Sequence, residues 1–250
     1  MPRYPILKAL LTQAVGFGLA HLCGAALAAA QVQPPFLVFW LLHGSLAAGC
    51  GFFLGLSRWW VPINFAFLPL LAGVSALGLP PWAFLAGFVL TALFYWNSFA
   101  GGVPLYLTGN ETLERVGGLV KELNRPVQFI DLGCGFGGNL HRLSKQFPDS
   151  QFHGVETAPM VFVVAWVRCV LRGNCRIRYQ SLWAQDLSRY DVVYCFLSPV
   201  PMPELWQKAR KEMRKGALLV SNTFEVPGVP ADQVIEMHDW RSSKILVWKF

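Results

Sequence analysis

The sequence predicts an α-helical transmembrane region followed by an α/β domain with a doubly wound, mostly parallel sheet. Residues 1–100 contain four long apolar stretches and no Asp or Glu. Residues 101–250 carry all fourteen acidic residues and eighteen of the twenty-one basic ones. In this second part, short apolar strands alternate with helical patterns. We therefore expect a membrane region with four helices over residues 1–100 and one globular domain over residues 101–250.

Each apolar stretch is close to the roughly 20 residues that an α-helix needs to cross hydrocarbon. The stretches are Ala9–Ala30, Phe36–Leu56, Trp60–Leu79 and Trp82–Ala100. The formal charges before residue 100 belong to Arg3, Lys8 and Arg58. Because cytoplasmic loops retain Lys and Arg, this distribution places everything after the fourth stretch on the cytoplasmic side. We expect an integral protein of a bacterial inner membrane with a cytoplasmic domain.

The first stretch has an alternative interpretation as a secretory signal. Residues 28–31 resemble a cleavage site, and Arg3 and Lys8 precede the apolar run. The run is long for a signal peptide and is interrupted by Gln13 and His21. We therefore expect an uncleaved helix.

Charge and cysteine usage narrow the class of partner. The domain has a net charge of only +4, from eighteen basic and fourteen acidic residues. This balance suits the face of an anionic membrane. Since no Lys/Arg run or RNA-binding motif accompanies it, we expect no nucleic-acid partner. The six cysteines are scattered without a CxxC pair, so we expect neither a metal site nor a disulfide framework.

Hydrophobic periodicity predicts five parallel strands separated by helices. The strands are Val127–Leu132, Gln151–Val155, Arg176–Tyr179, Val192–Phe196 and Ala217–Thr223. The helices are Glu111–Leu123, Asn139–Phe147, Met160–Leu171 and Glu204–Arg214. We expect two antiparallel strands, Gln233–His238 and Lys244–Phe250, to close the sheet.

A glycine loop follows the first predicted strand, where ligands bind on such sheets. Gly133, Gly135 and Gly138 satisfy the G-x-G-x-x-G pattern, which alone also fits a dinucleotide. Asp131 favours S-adenosylmethionine over a dinucleotide. A carboxylate suits the ammonium or sugar of S-adenosylmethionine and has little use beside a pyrophosphate. Glu156 ends the second strand, where it can accept both ribose hydroxyls. A solvated strand-end acid is the alternative for Glu156.

Several further segments carry a family resemblance. Asp131–Gly138, Glu156 with Pro159, Ser181–Trp183 and Tyr190–Tyr194 resemble successive motifs of class I S-adenosylmethionine-dependent methyltransferases. More closely, Gly154–Pro159, Ser181–Tyr194, Met202–Leu205 with Lys208 and Glu212, and Phe224–Gly228 are similar to the membrane-anchored protein-lysine methyltransferases of mitochondria. Those enzymes modify the ATP synthase c subunit or the adenine nucleotide translocase. The resemblance covers roughly residues 104–230.

This chain departs from the family at two places. It has four apolar stretches where a single anchor is usual, and Thr157-Ala158 where the family tends to have Leu-Asn. Both differences concern the substrate more than the cofactor.

The resemblance implies a class I methyltransferase sheet with S-adenosylmethionine as cofactor. Asp131 and the glycine loop would wrap its methionine and ribose portions, Glu156 would bind the ribose hydroxyls, and Ser181–Trp183 would flank the adenine. A core tryptophan is the alternative for Trp183. The cofactor-binding residues so implied are Asp131, Gly133, Cys134, Gly135, Gly137, Glu156, Ser181, Leu182 and Trp183.

Two residues are predicted to orient the substrate. Tyr106 lies with Thr108 before the first strand, in a segment that often covers the sulfonium in this fold; the alternative is a plain linker. Phe196–Pro201 loosely resembles the Asn/Asp-Pro-Pro-aromatic signature of amine methyltransferases, with Ser198 replacing the amide or acid. Turn formation by the prolines is the alternative here.

These observations together predict a membrane-anchored methyltransferase that N-methylates a lysine of a membrane protein. A lipid, quinone or other apolar small molecule is the alternative substrate. A membrane protein that binds S-adenosylmethionine without catalysis is the alternative from another functional class. The expected partners are the lipid bilayer and a membrane-protein substrate.

Overall fold

The computed structural model describes residues 5–32, 35–100, 102–237 and 243–250, with residues 99 and 100 described by their backbone alone. Arg3, residues 33 and 34 between the first two apolar stretches, residue 101 and His238 lie outside these ranges. The chain forms two compact units, Met1–Leu85 and Ala86–Phe250. Composition predicts the division at residue 100, whereas the structural division falls within the fourth helix.

Apolar helices build the first unit. They are α1 (Pro5–Ala29), α2 (Phe36–Phe53), α3 (Trp60–Ala76) and the beginning of α4 (Pro81–Phe94). By length and composition, α1 and α2 can cross a membrane, whereas α3 and α4 are apolar but shorter. The arrangement with four membrane-spanning helices therefore stays a prediction.

Small residues and buried amides hold the first three helices together. A Cβ added to Gly16 of α1 would lie 3.1 Å from the Cβ of Ala47 of α2, so the backbones approach closely. Gln13 Nε2 donates to the backbone carbonyl of Asn64 at 2.9 Å. His43 Nε2 lies 3.3 Å from the backbone carbonyl of Gln13. These contacts pair one nitrogen each of Gln13 and His43, which would be costly to leave unpaired in an apolar bundle, whereas Gln13 Oε1, His43 Nδ1 and Asn64 Nδ2 have no partner among the described residues.

A mixed seven-stranded sheet forms the centre of the second unit. Its strands are β1 (Gln128–Leu132), β2 (Gln151–Glu156), β3 (Cys175–Tyr179), β4 (Val192–Cys195), β5 (Leu218–Asn222), β6 (Gln233–Glu236) and β7 (Lys244–Lys249). The strand order is β3-β2-β1-β4-β5-β7-β6. The first five strands are parallel, and β7 runs antiparallel to both β5 and β6. The predicted sheet and its antiparallel closing strands are confirmed.

Helices cover both faces of this sheet. They are α5 (Trp96–Ala100), α6 (Asn110–Glu122), α7 (Gly138–Gln146), α8 (Pro159–Cys169) and α9 (Met202–Glu212). Phe129 packs into one buried cluster with α6, α7 and α8, while its neighbour Ile130 packs into a second cluster with α9. Because successive side chains of a strand point to opposite faces, the fold is doubly wound, as predicted.

One predicted helix differs from the structure. The apolar stretch Trp82–Ala100 forms two helices, α4 and α5, with a bend at Tyr95. The second helix supplies a side chain that hydrogen-bonds to the end of β2, which an uninterrupted transmembrane helix is not predicted to do.

Candidate functional site

The glycine loop connects β1 to α7 and brings the backbone close to its neighbours. Gly133 (φ 78°) and Gly135 (φ 54°) adopt left-handed conformations that glycine tolerates best. Gly137 has a packing role, because a Cβ there would lie 3.1 Å from the Cβ of Ala165 on α8. The loop therefore keeps the first turn of α7 beside the strand ends.

Two cavities open at the carboxyl ends of the parallel strands. The larger has a volume of about 470 Å³ and the smaller of about 200 Å³. Tyr106, Gly133 and Phe196 line both. The cavities thus meet at the glycine loop and form an elongated site, which suits a ligand with two chemically distinct ends.

Glu156 lines the larger cavity, and its carboxylate accepts several backbone hydrogen bonds. Its Oε1 accepts hydrogen bonds from the backbone N–H groups of Thr157 at 2.7 Å and Ala158 at 2.8 Å. Its Oε2 accepts a bond from the backbone N–H of Gly135 at 3.0 Å. This last bond ties the glycine loop to the end of β2. The side chain is buried, so these donors fix its orientation at the ribose position predicted from the sequence.

Asn97 of α5 supplies a further donor to the same carboxylate. Its Nδ2 donates to Glu156 Oε1 at 2.6 Å, and its Oδ1 accepts from the Thr157 hydroxyl at 2.6 Å. Phe94, Trp96 and Asn97 line the larger cavity. Sequence reasoning missed this contribution, although an amide within an apolar stretch is a signal that a polar partner must exist.

The predicted adenine-binding residues lie together in the larger cavity. Ser181, Leu182 and Trp183 line it, and Ser181 Oγ accepts from the backbone N–H of Trp183 at 3.3 Å, which caps a short 3₁₀ turn. Trp183 is 37% exposed and is therefore a cavity-lining residue, not a core tryptophan. Its role against adenine stays a prediction.

Asp131 is buried in the smaller cavity with weak hydrogen bonding. Asn139 Nδ2 donates to its Oδ2 at 3.5 Å. Burial raises the pKa of Asp131 to about 7; nearby Glu156 also raises it, and the bond from Asn139 lowers it. A carboxylate desolvated in this way is stabilised by a cationic partner. The ammonium at the methionine end of S-adenosylmethionine fits that requirement.

A polar network orders the segment before β1. Asn139 Nδ2 donates to Thr108 Oγ1 at 2.9 Å, and Thr108 Oγ1 lies 3.0 Å from the Tyr194 hydroxyl. Asn222 Nδ2 donates to the same hydroxyl at 3.2 Å. Burial raises the pKa of Tyr194 above its ordinary value, which keeps the phenol neutral. Thr108 is thus held against the sheet, and the interpretation as a plain linker does not apply to it.

Aromatic rings stand where the two cavities meet. Tyr106 stacks on Phe196 with 5.0 Å between ring centroids, and Phe224 lies 5.4 Å from Tyr106. Rings of this kind offer a surface for an aliphatic chain or a cation. Tyr106 therefore lies where a substrate-orienting residue is needed, and its role stays a prediction.

Ser198 and Cys134 are the remaining predicted site residues. Ser198 is buried, and its Oγ has no hydrogen-bond partner among the described residues. Its neighbours Leu197 and Val200 line the larger cavity. Cys134 lines the smaller cavity, and burial raises its pKa, so it is a neutral thiol. Within the described ranges, no three His, Cys, Asp or Glu side chains are grouped to hold a metal ion.

Comparison with known proteins gives a family match over part of the chain. Residues 131–233 match the model of the ANTKMT methyltransferase domain. A search of curated proteins finds no match.

A solved structure shares this fold. An RNA methyltransferase from Salinibacter ruber, in complex with S-adenosyl-L-homocysteine, is 21% identical, with a TM-score of 0.51, over 58% of this chain and 93% of that chain. A SAM-dependent methyltransferase from Thiobacillus denitrificans, in the same type of complex, is 14% identical with a TM-score of 0.40. That match covers 53% of this chain and 54% of the other.

A third similar structure is the StiE O-MT segment, which is 24% identical with a TM-score of 0.39. The match covers 45% of this chain and 43% of that one, so the chain spans less than half of its length. The family match over residues 131–233 and the fold shared with the RNA methyltransferase support a class I S-adenosylmethionine-dependent methyltransferase, which over the matched residues is similar to the ANTKMT methyltransferase domain.

Proposed function

We propose that this S-adenosylmethionine-dependent methyltransferase is anchored in a membrane and N-methylates a lysine of a membrane protein. The supporting observation is the wall of the larger cavity. Phe94 ends the apolar helix α4 and lines this cavity, together with Trp96 and Asn97 of α5. A site built partly from the end of an apolar helix is suited to a substrate presented at a bilayer. The family resemblance supports a lysine as the acceptor.

The chemistry asks the chain mainly to position the reactants and to exclude water. S-adenosylmethionine supplies a methyl group on a sulfonium centre. Asp131 would pair with its ammonium, and Glu156 would accept hydrogen bonds from its ribose hydroxyls. Both carboxylates are already buried, so they bind their partners in a protected site.

The acceptor amine must be neutral to attack. At pH 7, deprotonating a lysine with a pKa near 10.4 costs roughly 4–5 kcal/mol. Desolvation lowers the pKa of an amine and reduces that cost. Val103, Leu105 and Val200 give the larger cavity an apolar wall that can desolvate the lysine stem and amine. The released proton passes to solvent before transfer.

The same apolar wall also favours a second candidate substrate. A lipid, quinone or other apolar small molecule would bury its hydrocarbon against Val103, Leu105 and Val200. This candidate requires the same cofactor site and differs only in the accepting atom. The two candidates are therefore separated by identifying the product.

The test is to incubate membranes containing the full-length protein with an isotopically labelled methyl donor. We expect the label on a lysine of an integral membrane protein, identified by peptide mass spectrometry, and none with the Glu156→Ala variant. Label confined to the lipid extract would replace lysine by an apolar small molecule. Label mainly in soluble proteins would contradict the membrane substrate. Cofactor binding without any labelled product would indicate a protein that binds but does not catalyse.

A further inference from the structure

Helix α8 carries apolar side chains on two opposite faces. Its inner face is buried in the domain core through Val161, Ala165 and Cys169. Its outer face continues into the following turn and consists of large apolar side chains that are between 46% and 94% exposed. These are Val163, Trp166, Val167, Val170 and Leu171. Their spacing places the first four on one stripe along the helix.

An exposed stripe of this kind is unusual on a surface that meets only water. Single exposed apolar residues are common, but contiguous ones mark a site of interaction. The inner stripe already supplies the packing that α8 needs against the sheet. The outer stripe therefore has no folding role and is available to a partner.

Positive charge accompanies the stripe. Arg172 follows Leu171 directly, and residues 157–185 contain four arginines and no Asp or Glu. Among the described residues, none of the four arginines forms an ion pair. Arg168 donates to the backbone carbonyl of Phe136 at 3.1 Å and lines the smaller cavity, so its guanidinium lies away from the stripe. A partner that offers hydrocarbon together with negative charge therefore suits this surface.

We propose that the outer face of α8 binds the interface of an anionic lipid bilayer. Trp166 and the aliphatic side chains would enter the boundary between headgroups and acyl chains, and Arg172 would contact lipid phosphates. The proposal rests on the membrane location proposed above, which keeps a bilayer within reach.

A second copy of the chain fits this surface less well. In a two-fold symmetric dimer the same patch meets itself. Arg172 would then face its own counterpart, and no acidic residue between 157 and 185 could offset the repulsion. A bilayer supplies the opposite charge.

Contact through α8 gives the domain a second attachment besides its apolar helices. The helix begins at Pro159, directly after the strand that ends at Glu156. Lipid contact at α8 therefore fixes the orientation of the cofactor site toward the bilayer, not only its distance from it.

The experiment uses the full-length protein in nanodiscs of phosphatidylcholine and phosphatidylglycerol that contain a photoactivatable phospholipid. Peptide mass spectrometry maps the lipid adducts. We expect adducts on the peptide covering residues 159–172, reduced several-fold in discs of phosphatidylcholine alone. The double variant Val167→Ser with Leu171→Ser should lose most of them while still binding S-adenosylhomocysteine, which shows that it is folded.

The matched control is Val234→Ser, an exposed apolar residue of β6 at the opposite edge of the sheet, which should leave the adducts unchanged. Adducts in α1 and α2 without any in residues 159–172 would overturn this inference alone. Absence of adducts from both regions would contradict the membrane location itself. A dimer that the double variant converts to a monomer, without lipid adducts at α8, would assign the stripe to a second copy.

Discussion

Two carboxylates lie at the ends of neighbouring parallel strands, and they differ in the hydrogen bonds that they accept. Glu156 at the end of β2 accepts hydrogen bonds from three backbone N–H groups and from the side-chain amide of Asn97. Asp131 of β1 is equally buried, yet the hydrogen bond described for it is a long one from Asn139. Burial raises the pKa of Asp131 to about 7. One end of the cofactor site is thus fixed in advance, and the other depends on the ligand for its stabilisation.

With the roles proposed for these residues, the difference would let one site recognise a neutral and a cationic group. Hydroxyl groups bring no net charge, so Glu156 must be oriented by the protein if it is to bind them well. An ammonium brings charge, so Asp131 gains its stabilisation when the ligand arrives. Five predictions test this contrast.

Removing the pre-oriented carboxylate should have the largest effect. Glu156→Ala removes the acceptor of two ribose hydroxyls, and each charge-assisted hydrogen bond contributes about 1.5–3 kcal/mol. We expect S-adenosylhomocysteine affinity, measured by calorimetry, to fall by about a hundred-fold or more. Asp149→Ala, which removes an exposed carboxylate of the same domain, should leave affinity unchanged. Equal losses in both variants would show that net charge, not the oriented acceptor, controls binding.

Neutralising the second carboxylate should have an intermediate effect. Asp131→Asn keeps the side-chain shape but removes the charge that pairs with the ammonium. Loss of one charge-assisted interaction should weaken S-adenosylhomocysteine binding by about ten- to a hundred-fold in the same calorimetric assay. Unchanged affinity would mean that Asp131 is protonated in the complex and does not pair with the ammonium.

The raised pKa of Asp131 should make binding depend on pH. Below about 7 the carboxyl must lose a proton to pair with the ammonium, so affinity should rise with pH by at most about ten-fold per unit up to that region. The Asp131→Asn variant should lose this component. A titration that is the same in both proteins would assign the dependence to another group.

The same shift fixes the sign of its effect on stability. The unfolded carboxyl, with a pKa near 3.9, loses its proton at lower pH than the folded one. Without ligand, the Asp131 contribution therefore lowers the free energy of unfolding as pH rises from about 4 to about 7. Thermal melts of wild type and Asp131→Asn over this range measure the contribution.

Removing the side-chain amide of Asn97 should have the smallest effect on affinity. Asn97→Ala removes the amide that holds Glu156 Oε1 but leaves its three backbone donors in place. Asn97 orients the carboxylate but is not expected to contact the ligand, so affinity should fall by about ten-fold at most, less than one charge-assisted bond to the ligand contributes at its upper value. Ser98→Ala, beside it in the cavity wall, is the matched control. Tighter binding by Asn97→Ala would show that Asn97 competes with the ribose.

Much of this site follows from local sequence. The apolar strands ending near Leu132 and Val155 are visible because buried parallel strands are continuous hydrophobic runs. Their observed pairing sets Leu132 opposite Val155, which brings the Asp131 and Glu156 ends to one edge. The glycine pattern then marks the loop between them. Short-range signals of this kind require no knowledge of tertiary packing.

The missed contacts connect residues that are distant in the sequence. Asn97 and Glu156 are 59 positions apart, and Asn222 is 28 positions from Tyr194. An amide in the sequence indicates that a partner is needed but not which one. For the same reason, the bend that separates α4 from α5 was not predicted: apolar composition favours one continuous helix, whereas the hydrogen bonds of Asn97 favour docking on β2.

The Gln13 amide in the first unit has a consequence for how this part of the chain tolerates change. It joins α1 to Asn64 of α3, while its backbone carbonyl meets His43 of α2. Each added residue rotates an α-helix by about 100°. A single insertion in α1 between Gln13 and Gly16 would rotate these two residues relative to each other, so that the Asn64 bond and the close approach to Ala47 could not both be kept, whereas exchanging one outward-facing aliphatic residue for another, as at Leu22, would leave both intact. Substitutions should therefore accumulate on the outer surface of these helices far more readily than insertions or deletions in their length.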